Sequence, residues 1–325
     1  MTIEILPNIF QLEVPLHGNP LKSLNSYLIK GNNRHLIIDT GFNRPECKNA
    51  IISSLEKLKI SLEDCDFFLT HLHADHTGLV SSLATNNSRI FCSKEDGILL
   101  NMFESGEYWT NVSSLLSSHG FPPDELITAT QKHPAKESSP GKQLELSYIE
   151  NGATIEIGEY SFICILTPGH SPGHMCLYEP KYRLLISGDH ILARITPNIT
   201  VWPQMPDALS QYLHNLDKIL ELEIDLVLPG HRSLIYDCPK RIEEIKNHHQ
   251  ERLEELLGIL NSGPLTAYQA ASKMTWSLTY TSWGDFPMIQ KWFATGEAAS
   301  HLEYLAQQQK VQKDTIDGKS LFSLI

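Results

Sequence analysis

An α/β fold is predicted by two features of this chain. Short apolar runs alternate with amphipathic helical stretches, and several of the runs end in a tight turn that delivers His or Asp. Those deliveries stand at His71, His170, Asp189 and His231, with Gly or Pro in the last three turns. Loops at strand ends are where a rigid sheet presents reactive groups.

The elements follow in order. Ile9-Phe10-Gln11-Leu12-Glu13-Val14 alternates, as does the segment around Ser26-Tyr27-Leu28-Ile29, and Leu36-Ile37-Ile38-Asp39 is a short buried run closed by the turn Asp39-Thr40-Gly41. A helix is predicted after Asn43 and Pro45, because Ile51, Ile52, Leu55 and Leu58 share one face. Phe67 to Leu69 returns to the sheet, and Leu79, Val80 and Leu83 suggest another helix. Residues from about 95 to 143 break the rhythm. Helical pieces there are punctuated by Gly106, Gly120 and Pro122-Pro123, too aromatic for disorder and too long for a loop, so a helical cap insert is expected. Strands resume at Thr154–Ile157, Phe162–Leu166, Met175–Tyr178 and Leu184–Ser187. Asp207 is expected to cap a helix with Leu209, Tyr212, Leu213, Leu216 and Leu220 inward, before the strand Leu226-Val227-Leu228. From about Pro239 the chain reads as helix, with Ile242, Ile245, Leu253, Leu256, Leu257 and Leu260 on one face and Asn261-Ser262-Gly263-Pro264 as the stop. A last helix is predicted over roughly 297–310, then a hairpin turning at Asp317-Gly318.

Bulk composition bounds the function. The 325 residues are 41% hydrophobic and 20% charged, ordinary values for a globular protein of one large or two domains. No apolar stretch approaches the ~20 residues that span a bilayer, and the N-terminal residues lack the pattern of a secretion signal. The six cysteines are scattered without a C-x-x-C pair, which predicts buried, reduced thiols. A cytoplasmic protein is expected. The net charge of −12 disfavours nucleic acid and anionic membranes as partners.

The chemistry concentrates in His71-Leu72-His73-Ala74-Asp75-His76. Three imidazoles and a carboxylate within six residues, directly after a strand, form a ligand set for Zn or Fe. Composition alone would give such a pattern on the order of once in a thousand chains. With His170, Asp189 and His231 following in that order, the chain resembles the metallo-β-lactamase superfamily over residues 1 to about 235. The resemblance implies an αββα sandwich with the site at one edge. It implies that His71, His73 and His170 hold one metal, that Asp75, His76 and His231 hold a second, and that Asp189 bridges both. Two divalent ions are therefore expected as cofactors, Zn first, with Fe or Mn as alternatives. A water shared by two such cations loses a proton near neutral pH, and Asp75 beside it would orient it and take or relay the proton. The expected domains are a catalytic unit over 1–238, including the cap, and a C-terminal helical, winged-helix-like domain over 239–325.

Other motifs carry less. His174 and His190 adjoin ligands and could orient them, though structural histidines are the commoner case. By the same resemblance the loop after Asp189 lies near the pocket, so Arg194 and Asn198 are candidates for substrate contact. Gly169-His170-Ser171-Pro172-Gly173 imitates a serine-hydrolase elbow, but Pro172 lacks the N–H that the oxyanion hole needs. Gly318-Lys319-Ser320 imitates the end of a phosphate loop, but Lys313 stands where Gly is required.

The leading functional expectation is hydrolysis of a small ester-like substrate, a thioester first, in the manner of glyoxalase II relatives. A metal-dependent endoribonuclease is the second, because a superfamily branch with a winged-helix-like C-terminal domain cleaves RNA. Against it, residues from Lys240 onward hold nine Lys or Arg and ten Asp or Glu, not the cationic face of a nucleic-acid groove. The C-terminal unit is expected instead to be structural or to support a homodimer. A lactonase and an iron-dependent sulfur oxygenase complete the alternatives. The sulfur oxygenase works with one iron, which sits poorly with a complete second ligand set.

Overall fold

In a computed structural model, which describes residues 1–103, 105–277, 280 and 282–325, the chain forms two face-to-face sheets with helices outside them and a helical C-terminal segment ending in a hairpin. Glu104, inside the expected cap, and Leu278, Thr279 and Thr281 lie outside the described residues. The first sheet runs β1 (Thr2–Leu6), β2 (Ile9–Pro15), β3 (Ser23–Lys30), β4 (His35–Ile38), β5 (Cys65–Phe68), β6 (Ile90–Cys92), β7 (Ser147–Tyr148), antiparallel up to β4 and parallel from there. The second contains β8 (Thr154–Ile157), β9 (Tyr160–Leu166), β10 (Met175–Glu179), β11 (Leu184–Gly188) and β12 (Leu226–Pro229), with β11–β12 its parallel pair.

Strand alternation sends successive side chains to opposite faces, and both faces of the central strands β3 and β4 are covered. In β3 and β4, Tyr27, Ile29, Leu36 and Ile38 pack against Met175, Leu177, Leu184 and Ile186 of the other sheet. Their neighbours Leu24, Leu28 and Ile37 belong to a second core that includes Ile51 and Leu55 of α1 (Pro45–Leu58). Burial on both faces explains why β4 reads as a continuous apolar run, and it overrides the alternation read in β3, whose residues from Leu24 to Ile29 are all buried. Two short helices, α2 (Ala74–Thr77) and α3 (Val80–Leu83), follow β5. Between β6 and β7 come α4 (Lys94–Met102), α5 (Gly106–Ser118), α6 (Pro123–Gln131) and α7 (Pro134–Glu137), all within or beside the segment expected to be helical. Gly106 is not an interruption but the first residue of α5, capped by Ser105 Oγ, which accepts the Glu107 N–H.

Helix α8 (Ala208–Leu220) supplies the crossover that a parallel β11–β12 pair needs. Leu209, Tyr212 and Leu216 are buried as expected, but Leu220 is 42% exposed. Asp207 occupies the N-cap position without capping: its carboxylate accepts from Gln211 Nε2 (2.9 Å) instead of a backbone N–H. All six cysteines are free and buried. Among the described residues no helix is long and apolar enough to cross a membrane.

The C-terminal segment is α9 (Cys238–Leu260), α10 (Ala267–Ala271), α11 (Met288–Gln307) and the hairpin β13 (Val311–Ile316) and β14 (Lys319–Leu324). Asp317 and Gly318 both take positive φ (49° and 74°), the geometry that a tight two-residue hairpin requires. α11 starts nine residues before the expected Glu297. Its first half buries Lys291, Trp292, Ala294, Thr295 and Gly296, and a helix enclosed on several sides shows no single apolar stripe. Gly296 has a specific reason to be Gly, since a Cβ there would lie 2.0 Å from Thr200 Oγ1 of the loop that precedes α8.

The cap and the C-terminal segment interlock. Tyr268 N–H donates to the His119 carbonyl (3.1 Å), Tyr268 O–H to Glu125 (2.7 Å), and buried Lys291 pairs with Glu125 at 3.1 Å. His119 lies in this seam, stacked on Phe322. It is 2% exposed, and burial, reinforced by Lys313, pushes its pKa down to about 4. An unfolded His titrates near 6.5, so between these values the unfolded chain binds the extra proton. This contribution to stability is whole above pH ~6.5 and is lost as pH falls toward 4, at up to about 1.4 kcal/mol per pH unit. Urea unfolding at pH 7.5 and 5 is expected to show a lower midpoint at pH 5, and His119→Gln should reduce that difference.

Candidate metal centre

Backbone register brings the seven expected ligands together. β5 ends at Phe68, and Asp39 N–H donates to its carbonyl, so the turn after β4 lies beside the loop that carries His71 to His76. The β9–β10 hairpin holds His170 in its connection, and Met175 N–H bonds the Thr70 carbonyl (2.8 Å), tying that loop to the first. The parallel β11–β12 register pairs Gly188 with Pro229, which sets Asp189 beside His231. The approach is too close for side chains on the backbone between them: a Cβ at Gly230 would lie 2.6 Å from Asp189 Oδ1.

Three sets of ligand atoms converge, each within 4.8 Å: His71, His73 and His170; His71, His76 and Asp189; and Asp75, His76 and His231. His71 Nε2 faces His73 Nδ1 at 3.0 Å, and His76 Nε2 faces His231 Nε2 at 3.3 Å. Asp189 sits between the sets, with Oδ1 3.4 Å from His76 Nε2 and Oδ2 3.7 and 3.6 Å from the Nε2 atoms of His170 and His231. Asp75 Oδ2 is 3.4 Å from His231 Nε2.

The groups behind these residues determine which nitrogen points inward. Asp39 accepts from His76 Nδ1 (2.7 Å), Thr70 N–H (2.9 Å) and Thr70 O–H (2.8 Å). With its hydrogen committed to Asp39, Thr70 Oγ1 accepts the Nδ1–H of His71 at 3.0 Å. The Nδ1–H of His170 donates to the Asn198 carbonyl and that of His231 to the Ser23 carbonyl, each at 2.8 Å. Four imidazoles thus turn an Nε2 lone pair toward the cluster, the tautomer a metal requires. His170 Nε2 and Asp189 Oδ1 are buried and have no hydrogen-bond partner among the described residues. Unpaired buried polar atoms are costly, and this nitrogen-and-carboxylate donor set suits one or two divalent first-row cations.

The electrostatics divide the cluster. Burial lowers His71 and His170 and pushes His73 down to about 3, so these rings are neutral ligands at pH 7. Burial also pulls His76 and His231 down, but Asp39, Asp189 and Asp75 outweigh it around His76, and Asp189 and Asp75 around His231, and raise both. Asp75 is pushed up by burial, yet His76 and His231 hold it at about 2, a carboxylate at neutral pH.

Not every expected contact is of one kind. Asn198 borders the cavity beside the cluster, but its carbonyl holds His170 and its Nδ2 donates to Glu297 Oε2 (2.9 Å) and the Phe293 carbonyl (3.3 Å). Arg194 is exposed, has a positive φ of 63°, and is not among the residues lining that cavity. His174 accepts the Asp189 N–H through Nε2 (3.1 Å), while Thr167 Oγ1 lies 2.8 Å from its Nδ1. His190 is buried with both ring nitrogens unpaired among the described residues.

Two acids escaped the sequence analysis. Asp39 carried a faint signal, an acid in the turn closing a buried strand. Asp96, in the first turn of α4, carried none, because its partners lie 24 to 77 residues away. It accepts the Leu72 N–H (2.9 Å) between His71 and His73, and the Ser171 O–H (2.5 Å) and Gly173 N–H (2.6 Å) beyond His170. One buried carboxylate therefore clamps both ligand loops. Asp96→Ala leaves three donors without their acceptor and is expected to cost about 2–4 kcal/mol in urea unfolding. It should also weaken metal affinity about 10- to 100-fold in chelator competition. Unchanged affinity would show that the loops hold their places without it.

The chain matches the metallo-beta-lactamase superfamily over residues 20–231. It is 26% identical over 249 residues to the lactamase-like protein nscB of Aspergillus fumigatus, covering 75% of this chain but only 60% of that relative's length. With YqjP of Bacillus subtilis it shares 26% identity over 296 residues, 88% of each protein. The crystal structure of the metallo-beta-lactamase family protein TTHA1429 from Thermus thermophilus superimposes with a TM-score of 0.84 at 27% identity, covering 99% of this chain and 100% of that one. A beta-lactamase domain protein from Burkholderia ambifaria shares the fold at 22% identity, with a TM-score of 0.82 and coverage of 100% and 95%. With the seven-residue cluster at the edge of its two sheets, the chain belongs to the metallo-beta-lactamase superfamily and carries a site suited to two metals.

Proposed function

We propose that the protein hydrolyses an ester-like bond in a small molecule, a thioester first, using two metal ions, with zinc the expected metal. The observation that carries this reading is the convergence of the ligand sets on the wall of a cavity of about 400 Å³, a ligand-sized space. His71, His73 and His170 would hold one ion, Asp75, His76 and His231 the other, and Asp189 would contact both. Bound there, the metals supply Lewis-acid polarisation of the scissile carbonyl and a water acidified to a pKa of about 7.

The chain's own residues do the rest. Asp75 lines the cavity and is ionised at neutral pH, so its carboxylate accepts a hydrogen bond from the attacking water, aligns it and relays its proton toward the departing thiol. Asp39, Thr70 and the Asn198 and Ser23 carbonyls keep the imidazoles in the ligating tautomer. We read residues 1–238 as the catalytic unit, with a cap over about 95–143, and residues 239–325 as a winged-helix-like unit. In this reading the C-terminal unit closes the cavity, and its helix–hairpin order is not an RNA guide. Among the described lining residues there is no Lys or Arg, which speaks against a phosphodiester polyanion. The six buried free thiols fit a reducing cytoplasm.

Elemental analysis of purified protein, paired with turnover of a thioester, a lactone and a phosphodiester, tests this reading. Two equivalents of zinc with thioester cleavage are expected. One equivalent of iron with no turnover would favour a redox role, and phosphodiester cleavage would favour RNA. At full metal loading, Asp75→Ala should lower kcat by about 10²-fold or more with little change in unfolding temperature. Near wild-type turnover would exclude the role given to Asp75.

A further inference from the structure

The cavity holds more chemistry than its metal end. Its wall runs from His73, Asp75, His170 and Asp189 into a chamber built by three separate parts of the chain. The cap contributes Trp109 and Leu116, the loop before α8 contributes Trp202, and the C-terminal segment contributes Trp276, Trp292 and Phe293. Four of the protein's five tryptophans thus line one space.

Formal charge is scarce there. Apart from Asp75 and Asp189 of the cluster, the only acid or base bordering it among the described residues, histidines aside, is Glu297. Its Oε2 accepts from Asn198 and its Oε1 lies 3.7 Å from Arg252 Nε. Arg252 in turn is committed to Glu255 (2.5 Å) and the Thr275 carbonyl (2.7 Å), with its guanidinium 4.4 Å over the Trp276 ring. It therefore offers no free cation to a ligand. His133, which also borders the chamber, packs against Trp109, Trp292 and Phe293. Its Nδ1 accepts the Ala135 N–H, so the ring is a neutral tautomer, and burial pushes it down to about 4.

We propose that this chamber is an acyl pocket for uncharged, apolar acyl groups, and that the cap and the C-terminal segment together set this specificity. The inference rests on the hydrolase reading and narrows its substrate. An apolar cavity of about 150 Å³ is enough for benzene, so a chamber of about 400 Å³ takes an acyl group larger than one ring. A carboxylate on that acyl group would enter without a cationic partner, and an unpaired buried charge is strongly disfavoured. The acyl carbonyl lies at the metal end, and water attacks its carbon. The C–S bond then breaks, the carboxylic acid and free thiol form, and no oxidant or reductant is required.

The test uses the full-length, metal-loaded protein and thioesters of one neutral thiol, N-acetylcysteamine. The acyl group is varied through acetyl, butyryl, hexanoyl and benzoyl, with succinyl as the anionic counterpart of butyryl. kcat/KM should rise about fourfold per added methylene, the equivalent of about 0.8 kcal/mol. Succinyl should fall at least tenfold below butyryl. Equal values for acetyl and hexanoyl, or for succinyl and butyryl, overturn the proposal. Val112→Trp, which adds bulk on the cap side of the chamber, should lower the hexanoyl-to-acetyl ratio at least tenfold. A parallel binding assay follows quenching of the lining tryptophans by 2-naphthamide and 2-naphthoate, with and without metal. At least tenfold tighter binding of the neutral amide in the metal-free form supports the pocket, and equal binding in that form overturns it. If no thioester is cleaved, the hydrolase reading falls, and this assay alone decides the pocket.

Discussion

Four imidazoles can aim Nε2 lone pairs at one buried region only if each Nδ1–H finds an acceptor behind it. The rest of this structure depends on that constraint. The acceptors are the Thr70 hydroxyl for His71, Asp39 for His76, the Asn198 carbonyl for His170 and the Ser23 carbonyl for His231. They come from the turn after β4, the loop after β5, the loop before α8 and the start of β3. No single element could furnish them, so the site exists only when both sheets are in register. The cost of an unpaired buried N–H makes the requirement strict.

Asp96 extends the same logic to the backbone. The loops around His71 and His170 have no regular secondary structure to satisfy their N–H groups, and one carboxylate satisfies a donor in each. Burial raises the Asp96 pKa to about 7, against the three donors that favour its ionised form. The three donors are what a carboxylate, and not a carboxylic acid, accommodates.

The C-terminal segment is part of this centre. Glu297 on α11 holds Asn198, whose carbonyl holds His170, so a helix more than a hundred residues downstream reaches a ligand through one intermediary. The close approach of α11 to the loop at Thr200 requires Gly296. Trp292 packs with Leu116, Phe121 and Leu126 of the cap region, so cap and C-terminal helix form one continuous apolar wall. Apolar side chains walling the ligand cluster in this way strengthen the electrostatics beside them.

Much of this was legible in the chain. The strands β2 to β5, the helices α1 and α9, and the hairpin turn at Asp317-Gly318 follow from periodicity and turn chemistry, which act over a few residues. The ligand cluster was legible because metal chemistry demands His and Asp types that are rare in such density. Tertiary structure decided what periodicity cannot carry. α11 begins at Met288 because it is buried on several sides and has no stripe to read. Asp207 gave its carboxylate to Gln211, and Leu220 faced solvent, where local pattern pointed otherwise. Asp96, Glu297 and the aromatic chamber depend on partners tens to hundreds of residues apart, joined only by the fold. Local sequence selects side-chain types and local conformation. Which buried donor meets which acceptor is a property of the packed sheets and helices.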